Sequence, residues 1–392
     1  MSTRLNHIAF TLLVVVVMTG AFFAGFGTYV FGQHNVTAAG PRRAFQLFWE
    51  AWGYIQSDYY GNVPDEQTMT YAAIRGVLAE LHDPYTVLVD PAPHEQETQQ
   101  LQGRYGGIGA TLSRDEAEQL RLNPFPDGPA AAAGVRLDDV LLAIDGAPVT
   151  AVDTVVEIEQ RLRGEVSTTV TLTLSRPPSA PFPVAIVRAE YTIPSVTARL
   201  LREDARLGYI AISHFSALTG QEVHDGVLAL RAQGAQMLIL DLRDNGGGLL
   251  DAAVSVSSEF LDGGVVLYEQ TRDNTRFFPV EPGGAATDLP LIVLINGGTA
   301  SATEIVAGAL QDSGRAELVG ERTYGKGSVQ FVFDLQDGSS LHVTKAVWLT
   351  PHRRSIDGSG LAPDVPVVLS KEDRAAGRDT QLLQAIAILS AE

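Results

Sequence analysis

The chain of 392 residues contains no cysteine and no basic stripe. Without cysteine it can form no disulfide, has no thiolate nucleophile and offers no thiolate to a zinc ion. Its eight histidines are scattered, without an H-E-x-x-H motif, so the sequence predicts no metal and no cofactor. His214 and His342 lie in strand-like runs and are interpreted as structural. The net charge of −18 argues against nucleic acid as a partner.

Lysine is also scarce, since Lys326, Lys345 and Lys371 are the three lysines and every other basic side chain is arginine. Lys326 stands between two glycines in the run T-Y-G-K-G-S-V-Q, which ends at Gln330. Lysine can lose its proton when it is buried, whereas arginine effectively cannot. A lysine pKa of about 10.4 must fall to about 7–8 for general-base work at neutral pH, and burial supplies such a shift. Lys326 is therefore a candidate general base.

A candidate nucleophile, Ser301, lies upstream at a strand-to-helix junction. The apolar run Leu291–Ile295 is typical of a buried strand, the turn N-G-G-T-A follows it, and residues 302–310 have the apolar spacing of a helix. The first amides of a helix are unpaired and its dipole favours negative charge, which suits an oxyanion on an attacked carbonyl. The alternative is that Ser301 only caps the helix, but the presence of Lys326 favours the nucleophile.

A third glycine-rich loop follows a third apolar pattern. Residues 237–242 read as a strand, R-D-N-G-G-G follows, and residues 249–261 read as a helix. Glycines after a buried strand let backbone amides approach a ligand closely. A plain turn is the alternative for this loop taken alone.

Together the three loops resemble the C-terminal processing peptidases, which are tail-specific Ser–Lys proteases. The segments that carry the resemblance are D-L-R-D-N-G-G-G from Asp241, G-T-A-S-A-T-E-I-V-A-G-A-L-Q-D from Gly298 and G-E-R-T-Y-G-K-G-S-V-Q from Gly320. The resemblance covers nearly the whole chain after its N-terminal segment. It implies a multidomain α/β protein with an N-terminal helical region, a PDZ domain and a catalytic core of the ClpP/crotonase-like type.

The resemblance also implies roles for five residues. Ser301 is the nucleophile, Lys326 is the general base and Gln330 orients the lysine. The amides of Gly247 and Ala302 form the oxyanion hole. The chain departs from the family pattern at three positions without losing a reactive group: Gly246 stands where proline is frequent, and Thr299 and Thr303 stand where serine is common.

A second module is expected between residues 101 and 188. The loop Y-G-G-I-G-A, together with the later segments P-A-A-A-A-G-V and D-D-V-L-L-A-I-D-G, resembles a PDZ domain. Such a loop captures a terminal carboxylate with successive amides while the ligand adds a strand to the sheet edge. The resemblance assigns these amides to Ile108, Gly109 and Ala110 and implies protein or peptide partners with free C-termini. The acidic pair Asp138 and Asp139 is interpreted as a solvated face.

The first residues have a different composition. Residues 8–31 carry no charge, and about 24 residues are enough to span a membrane as a helix. A retained anchor is favoured over a cleaved signal segment, which is the alternative. Family resemblance places the protease outside the cytoplasm, on the periplasmic or extracellular side, and suggests a homodimer. The predicted domains are 1–32 (anchor), 33–100 (helical region), 101–188 (PDZ), 189–370 (catalytic core) and 371–392 (C-terminal helix).

The sequence therefore predicts a serine endopeptidase that recognises protein C-termini through its PDZ domain and cleaves near them. A catalytically silent PDZ adaptor is the alternative from another class, and the intact Ser301, Lys326 and Gln330 argue against it. A tricorn-like or retinoid-binding relative is disfavoured because the PDZ segment precedes the core. A Walker A loop at residues 320–326 is disfavoured because glycine follows the lysine and a strand-like run comes next.

Overall fold

The structure, a computed structural model, describes residues 39–115, 117–150 and 152–391. The segment predicted to be an anchor, residues 8–31, lies outside these ranges. Among the helices that are described, none is long and apolar enough to cross a membrane. The chain divides into two compact units, Met1–Gly76 and Val77–Glu392.

The first unit is helical where it is described. It contains α1 (Ala39–Asp58) and most of α2 (Glu66–Ala79). The predicted helical region extended to residue 100, but in the second unit the apolar run Val87–Val89 forms a strand, β1. It pairs antiparallel with a strand of the catalytic core, and its two β-branched valines favour a strand there. Helix α3 (Pro91–Gln102) follows directly.

The PDZ segment folds around its own apolar core. Its sheet has the order β3-β4-β5-β7-β8, with β6 paired to β5. Its elements are β3 (Ala110–Arg114), β4 (Leu120–Pro124), α4 (Pro129–Ala132), β5 (Asp139–Ile144), β6 (Ala147–Pro148), α5 (Val155–Leu162), β7 (Thr169–Ser175) and β8 (Phe182–Val187). Helix α5 begins with a capping box in which Thr154 and Glu157 satisfy each other's backbone amides.

A short antiparallel ribbon joins this domain to the core. The strands β2 (Arg104–Gly107) and β9 (Ala189–Thr192) pair with each other, so the chain enters and leaves the PDZ domain side by side. Gly107 helps this approach, because an added Cβ there would lie 3.0 Å from Cε1 of Tyr191 on β9.

The catalytic core is built on a six-stranded sheet of order β10-β11-β12-β15-β16-β19. All neighbours are parallel except β10 and β11. The strands are β10 (Val196–Leu200), β11 (Leu207–Ile212), β12 (Met237–Asp241), β15 (Leu291–Ile295), β16 (Glu317–Gly320) and β19 (Val365–Pro366), and the helices are α6 (Thr219–Ala232), α7 (Leu250–Phe260), α8 (Ala302–Asp312), α9 (Lys371–Ala375) and α10 (Thr380–Leu389).

Both faces of this sheet are buried, which explains the unbroken apolar runs of its strands. In β12 the side chains of Leu238 and Leu240 join the core formed with α6, α7 and α8. Met237 and Ile239 point to the opposite face and pack with residues of α10. The predicted α/β core, with strands at 237–242 and Leu291–Ile295, is confirmed with a one-residue difference at the first.

A second sheet has the order β1-β18-β13-β14, with β17 also paired to β18. Its strands in the core are β13 (Val265–Thr271), β14 (Thr275–Pro279), β17 (Ser328–Asp334) and β18 (Ser340–Leu349). This sheet positions the segment between β16 and β17, which carries Lys326.

One interpretation of the acidic pair is wrong. Asp139 is 1 % exposed, and its Oδ1 accepts a 2.6 Å hydrogen bond from Nε of Arg176. The Arg176 guanidinium and the Asp139 carboxylate form an ion pair. A buried carboxylate requires such a charged hydrogen-bonding partner. The sequence concealed this because Arg176 directly follows β7, far along the chain.

Candidate active site

Ser301 directly precedes α8 and has the backbone angles φ +58° and ψ −122°. A residue other than glycine rarely adopts a positive φ, and such strain persists only where neighbouring contacts enforce it. The turn before it is fixed by Asn296, whose Oδ1 accepts hydrogen bonds of 2.9 Å from the amides of Asp244 and Gly298. Ser301 therefore sits on a rigid strand-to-helix turn.

The glycine-rich loop after β12 lies directly against this turn. The carbonyl oxygen of Asn245 accepts the Ala300 amide at 3.0 Å. A side chain at Gly247 would meet Cβ of Ser301 at 2.9 Å and the nitrogen of Ala302 at 3.0 Å, and φ of Gly247 is +105°. Only glycine fits here without strain, so the two residues predicted to form the oxyanion hole are neighbours in space.

The two predicted oxyanion-hole amides differ in their present partners. Ala302 is the first residue of α8, where an amide has no intrahelical acceptor. The Gly247 amide donates a 2.9 Å hydrogen bond to Oδ1 of Asn245. An oxyanion at this position would therefore share or replace the Asn245 acceptor.

Lys326 is held in place by hydrogen bonds to both its backbone carbonyl oxygen and its backbone amide. Its carbonyl oxygen accepts a 3.1 Å hydrogen bond from the indole nitrogen of Trp348, which is 1 % exposed. Its Nζ lies 5.0 Å from the centroid of the Tyr85 ring. Burial lowers the pKa of the Lys326 amine below its ordinary value, and the negative charge of Glu97 opposes this shift. The direction is the one that a lysine general base requires.

Glu304 connects the two candidate catalytic residues, and sequence reasoning assigned it no role. Its side chain is 0 % exposed. Oε2 accepts the amides of Ser301 and Lys326, each at 2.9 Å. Oε1 accepts the Gly325 amide at 2.8 Å and the hydroxyl of Thr323. The signal was present in the sequence, because S-x-x-E from Ser301 to Glu304 is the pattern of a capping box.

Gln330 lies near the lysine but contacts other groups. Its Nε2 donates hydrogen bonds to Oγ of Ser328 at 2.9 Å and to Oγ1 of Thr344 at 3.3 Å. In residues 77–391, where the structure describes them, no hydrogen bond joins Gln330 to Lys326 or Lys326 to Ser301. The predicted orienting contact is therefore not formed in this state, and catalytic hydrogen bonds in free enzymes are often long.

One cavity of about 630 Å³ brings together all five residues predicted for the protease reaction: Ser301, Lys326, Gln330, Gly247 and Ala302. We call this cavity the catalytic cleft. Glu97, His214 and His342 also line it, although the two histidines were interpreted as structural. Their position was not predictable, because each reaches the cleft from a separate part of the fold.

The three residues predicted to bind a carboxylate lie in the PDZ domain and do not line the catalytic cleft. The carbonyl oxygen of Ile108 accepts the Ala130 amide at 2.7 Å, and that of Gly109 accepts the Phe125 amide at 2.9 Å. Ala110 begins β3, the edge strand of the described PDZ sheet. Helix α5 packs next to β3, which leaves an edge where a peptide strand can be added.

Comparisons with known proteins agree with this arrangement. The family "Peptidase family S41" matches residues 206–367, and a PDZ domain matches residues 124–176. The carboxyl-terminal-processing protease of Synechocystis sp. is 37% identical over 349 residues, which are 86% of this chain and 81% of that protein. The carboxy-terminal processing protease CtpA of Bacillus subtilis is 33% identical over 365 residues, 92% of this chain and 77% of that protein.

A solved S41 protease structure from Bacteroides fragilis has a TM-score of 0.53 and 16% identity, and the match covers 85% of this chain and 92% of that one. This likeness concerns the fold alone. Taken with the sequence relatives, the site and the fold define a serine protease that carries a PDZ domain. The chain belongs to peptidase family S41, among the carboxyl-terminal processing proteases. Nothing in these comparisons supports a catalytically silent adaptor. The predicted domain boundaries and residue roles stay predictions.

Proposed function

We propose that the protein cleaves peptide bonds near protein C-termini through an acyl-enzyme formed on Ser301. The observation that carries this proposal is the common location of Ser301 and half-buried Lys326 in the catalytic cleft. Their loops are fixed by the shared carboxylate of Glu304. Serine–lysine pairs are a known form of activated nucleophile.

In the first step the neutral Lys326 amine takes the proton of Ser301 Oγ as this oxygen attacks the scissile carbonyl. The amides of Ala302 and Gly247 stabilise the oxyanion. The tetrahedral intermediate then collapses, the C–N bond breaks, and the Lys326 ammonium gives its proton to the leaving amine. Water attacks the resulting ester with Lys326 again accepting a proton, and this proton returns to Oγ as the acid product leaves. Gln330 directs the amine during these transfers without protonating it.

A rearrangement precedes the first step, because Lys326 Nζ faces the Tyr85 ring in the free protein. Because Glu304 and Trp348 hold the backbone of Lys326, we assign this rearrangement to rotation of its side chain toward Ser301. Substrate in the cleft excludes water and so favours the neutral amine further.

Substrate selection is assigned to the PDZ domain. A free C-terminal carboxylate binds the amides of Ile108, Gly109 and Ala110, and the preceding residues pair with the edge strand β3. The position of β3 at the sheet edge supports this assignment. Protein and peptide chains with free C-termini are the partners that it implies.

The place of action is proposed from the sequence. Residues 8–31 anchor the chain in a membrane with the protease outside the cytoplasm, and secretion after signal cleavage is the alternative. The aromatic side chains of α1 support a homodimer, because Phe45 is 54% and Trp49 is 63% exposed. Exposed aromatic residues at helical spacing are frequent in protein interfaces.

Trapping the acyl-enzyme tests the reaction. A peptide ester substrate is mixed with the protein, quenched with acid within its turnover time and measured as intact mass. We expect the acyl group to be added to the wild-type chain and localised to the Ser301 peptide, and to be absent from Ser301→Ala. Turnover of the ester with the acyl group on another residue, or full turnover by Ser301→Ala, contradicts the proposal.

A further inference from the structure

Three side chains beside the catalytic cleft form a cluster that the protease reaction does not use. His94, Glu97 and His342 each offer one ligand atom, and these atoms all lie within 4.8 Å of one another. His94 and Glu97 are three residues apart on α3 and share a face of that helix. His342 is on β18, to which β1 pairs at Val87. Because α3 follows β1 directly, the pairing brings the helix to this strand.

Two nitrogens of the cluster are buried without a hydrogen-bond partner. They are Nδ1 of His94 and Nε2 of His342, and His342 is 9% exposed as a residue. A buried polar atom without a partner costs free energy. In the same cluster, Glu97 Oε2 lies 3.4 Å from His342 Nε2 without forming a hydrogen bond. Both nitrogens therefore have an unused lone pair or proton in a site that also contains a carboxylate.

The surroundings of His94 resemble those of a metal-binding histidine. Its Nε2 is 2.9 Å from Oδ1 of Asp334, which favours a proton on Nε2 and leaves a lone pair on Nδ1. Metal-ligating histidines commonly donate the other ring N–H to a carboxylate in this way. The contact with Asp334, whose side chain is 83% exposed, favours this tautomer and this orientation of the ring.

The spacing also fits a small transition-metal ion. Tetrahedral zinc binds nitrogen and oxygen ligands at about 2.0–2.2 Å, which places two ligands about 3.3–3.5 Å apart. The 3.4 Å between Glu97 Oε2 and His342 Nε2 falls in this range. Two imidazoles and a carboxylate are donors that suit zinc, and three protein ligands leave a fourth position for water.

We propose that His94, Glu97 and His342 bind a zinc ion that links α3 to β18 at the wall of the catalytic cleft. This proposal departs from the sequence-based prediction of no metal. Glu97 and His342 line the cleft together with Ser301 and Lys326, so two of the three ligands belong to the wall of the cleft. The serine–lysine reaction itself needs no metal, and the two proposals can fail independently.

The test measures zinc binding by the full-length Ser301→Ala protein, which prevents self-cleavage, with any affinity tag removed. Isothermal titration with zinc chloride is expected to give one ion per chain. Glu97→Gln and His342→Ala are each expected to weaken binding by at least about 100-fold, because each removes a ligand. Asp334→Asn is expected to weaken it by about 10–100-fold, since its side chain orients a ligand without touching the ion.

His352→Ala is the matched control, because this histidine is also paired with an aspartate but its side chain is 68% exposed. It should bind zinc as the parent does. Circular dichroism and thermal unfolding in the presence of a chelator check that each variant is folded. If His342→Ala is unfolded, the visible spectrum of bound cobalt(II) is compared between the parent and Glu97→Gln instead. Loss of a ligand changes the intensity of this spectrum, so a difference between the two proteins supports the site. Absence of stoichiometric zinc binding in the parent, or unchanged binding in the ligand variants, overturns the proposal.

Discussion

The backbone N–H of Lys326 donates a 2.9 Å hydrogen bond to Oε2 of Glu304. The same oxygen accepts the N–H of Ser301 at 2.9 Å, so one buried carboxylate holds the backbones of the candidate nucleophile and the candidate base. The strained φ of Ser301 is maintained in part by this contact. Glu304 thus acts as a positioning residue that need not touch the substrate.

Glu304→Gln is expected to weaken activity and stability together. The glutamine amide has one acceptor oxygen where the carboxylate has two. Its NH₂ group would therefore face N–H and O–H donors, which would lose their acceptor. We expect the free energy of unfolding to fall by about 1–3 kcal/mol and kcat to fall at least ~10-fold with a smaller change in KM. Denaturant unfolding and peptide kinetics measure these effects. Glu317→Gln, on an exposed position of β16, should change neither, and equal losses in both variants would count against a specific role of Glu304.

Lys326→Arg separates a general base from a simple positive charge. Arginine retains the charge and much of the length but keeps its proton at any ordinary pH. We therefore expect a folded protein whose kcat/KM falls at least ~10²-fold, near the level of Ser301→Ala. Lys345→Arg is the control, because Lys345 lies over the Phe331 ring at 4.2 Å, and it should retain activity. Near-normal cleavage by folded Lys326→Arg would exclude the Ser–Lys pair.

The pH dependence follows from the lowered pKa of Lys326, which burial causes. The base works as the neutral amine, so kcat/KM should rise with pH through the folded-state pKa and be lost as pH falls below it. Chelators should not abolish cleavage, because the serine–lysine reaction itself needs no metal. A pH–rate profile of wild type measures this, and a rate that is constant from pH 5 to 9 would be incompatible with a lysine base.

The same shift affects stability. Between the lowered pKa and the ordinary lysine value, the unfolded chain binds more protons at Lys326 than the folded chain, so stability rises with pH in that window. Lys326→Met lacks this dependence. We expect it to be at least as stable as wild type at pH 7 and the difference to shrink toward pH 10. Thermal unfolding at several pH values gives the answer, and a difference that grows with pH would mean that the lysine is charged in the folded protein.

Recognition of C-termini by the PDZ loop is tested by removing the terminal charge of a substrate. Amidation should slow cleavage, because the amides at residues 108–110 then lose their anionic ligand. Gly109 has φ +65°, and an added Cβ would lie 2.8 Å from Cδ of Pro129, so Gly109→Ala should distort the loop. In that variant the free acid and the amide should be cleaved at similar, low rates. Equal rates for the two substrates in wild type would refute tail recognition by this loop.

The anchor is tested by extraction of membranes with alkaline carbonate. Full-length protein should stay in the pellet if residues 8–31 span the bilayer, as their length and lack of charge predict. Soluble protein with a new N-terminus near residue 40 would instead favour a cleaved signal segment. N-terminal sequencing of both fractions distinguishes the two.

The parts of the site that were predictable are those with local signals. Ser301 and Lys326 lie in glycine-rich turns near apolar strands. The unbroken apolar sequence of such strands indicates that both faces of the sheet are buried. Glu304 also had a local signal, S-x-x-E, but its contact with Lys326 depends on how β17 and β18 pair. Asp139 and Arg176, like His94 and His342, meet only through long-range strand pairing, for which one sequence contains no periodic signal.

Trp348, whose indole nitrogen bonds the carbonyl oxygen of Lys326, has a spectroscopic consequence. The chain has three tryptophans, and the other two, Trp49 and Trp52, are both in α1. Replacing these two with phenylalanine leaves Trp348 as the single tryptophan, with its indole hydrogen-bonded to the backbone of the candidate base. Its emission then reports in real time whether the lysine segment moves when substrate enters the cleft, without any dye or label.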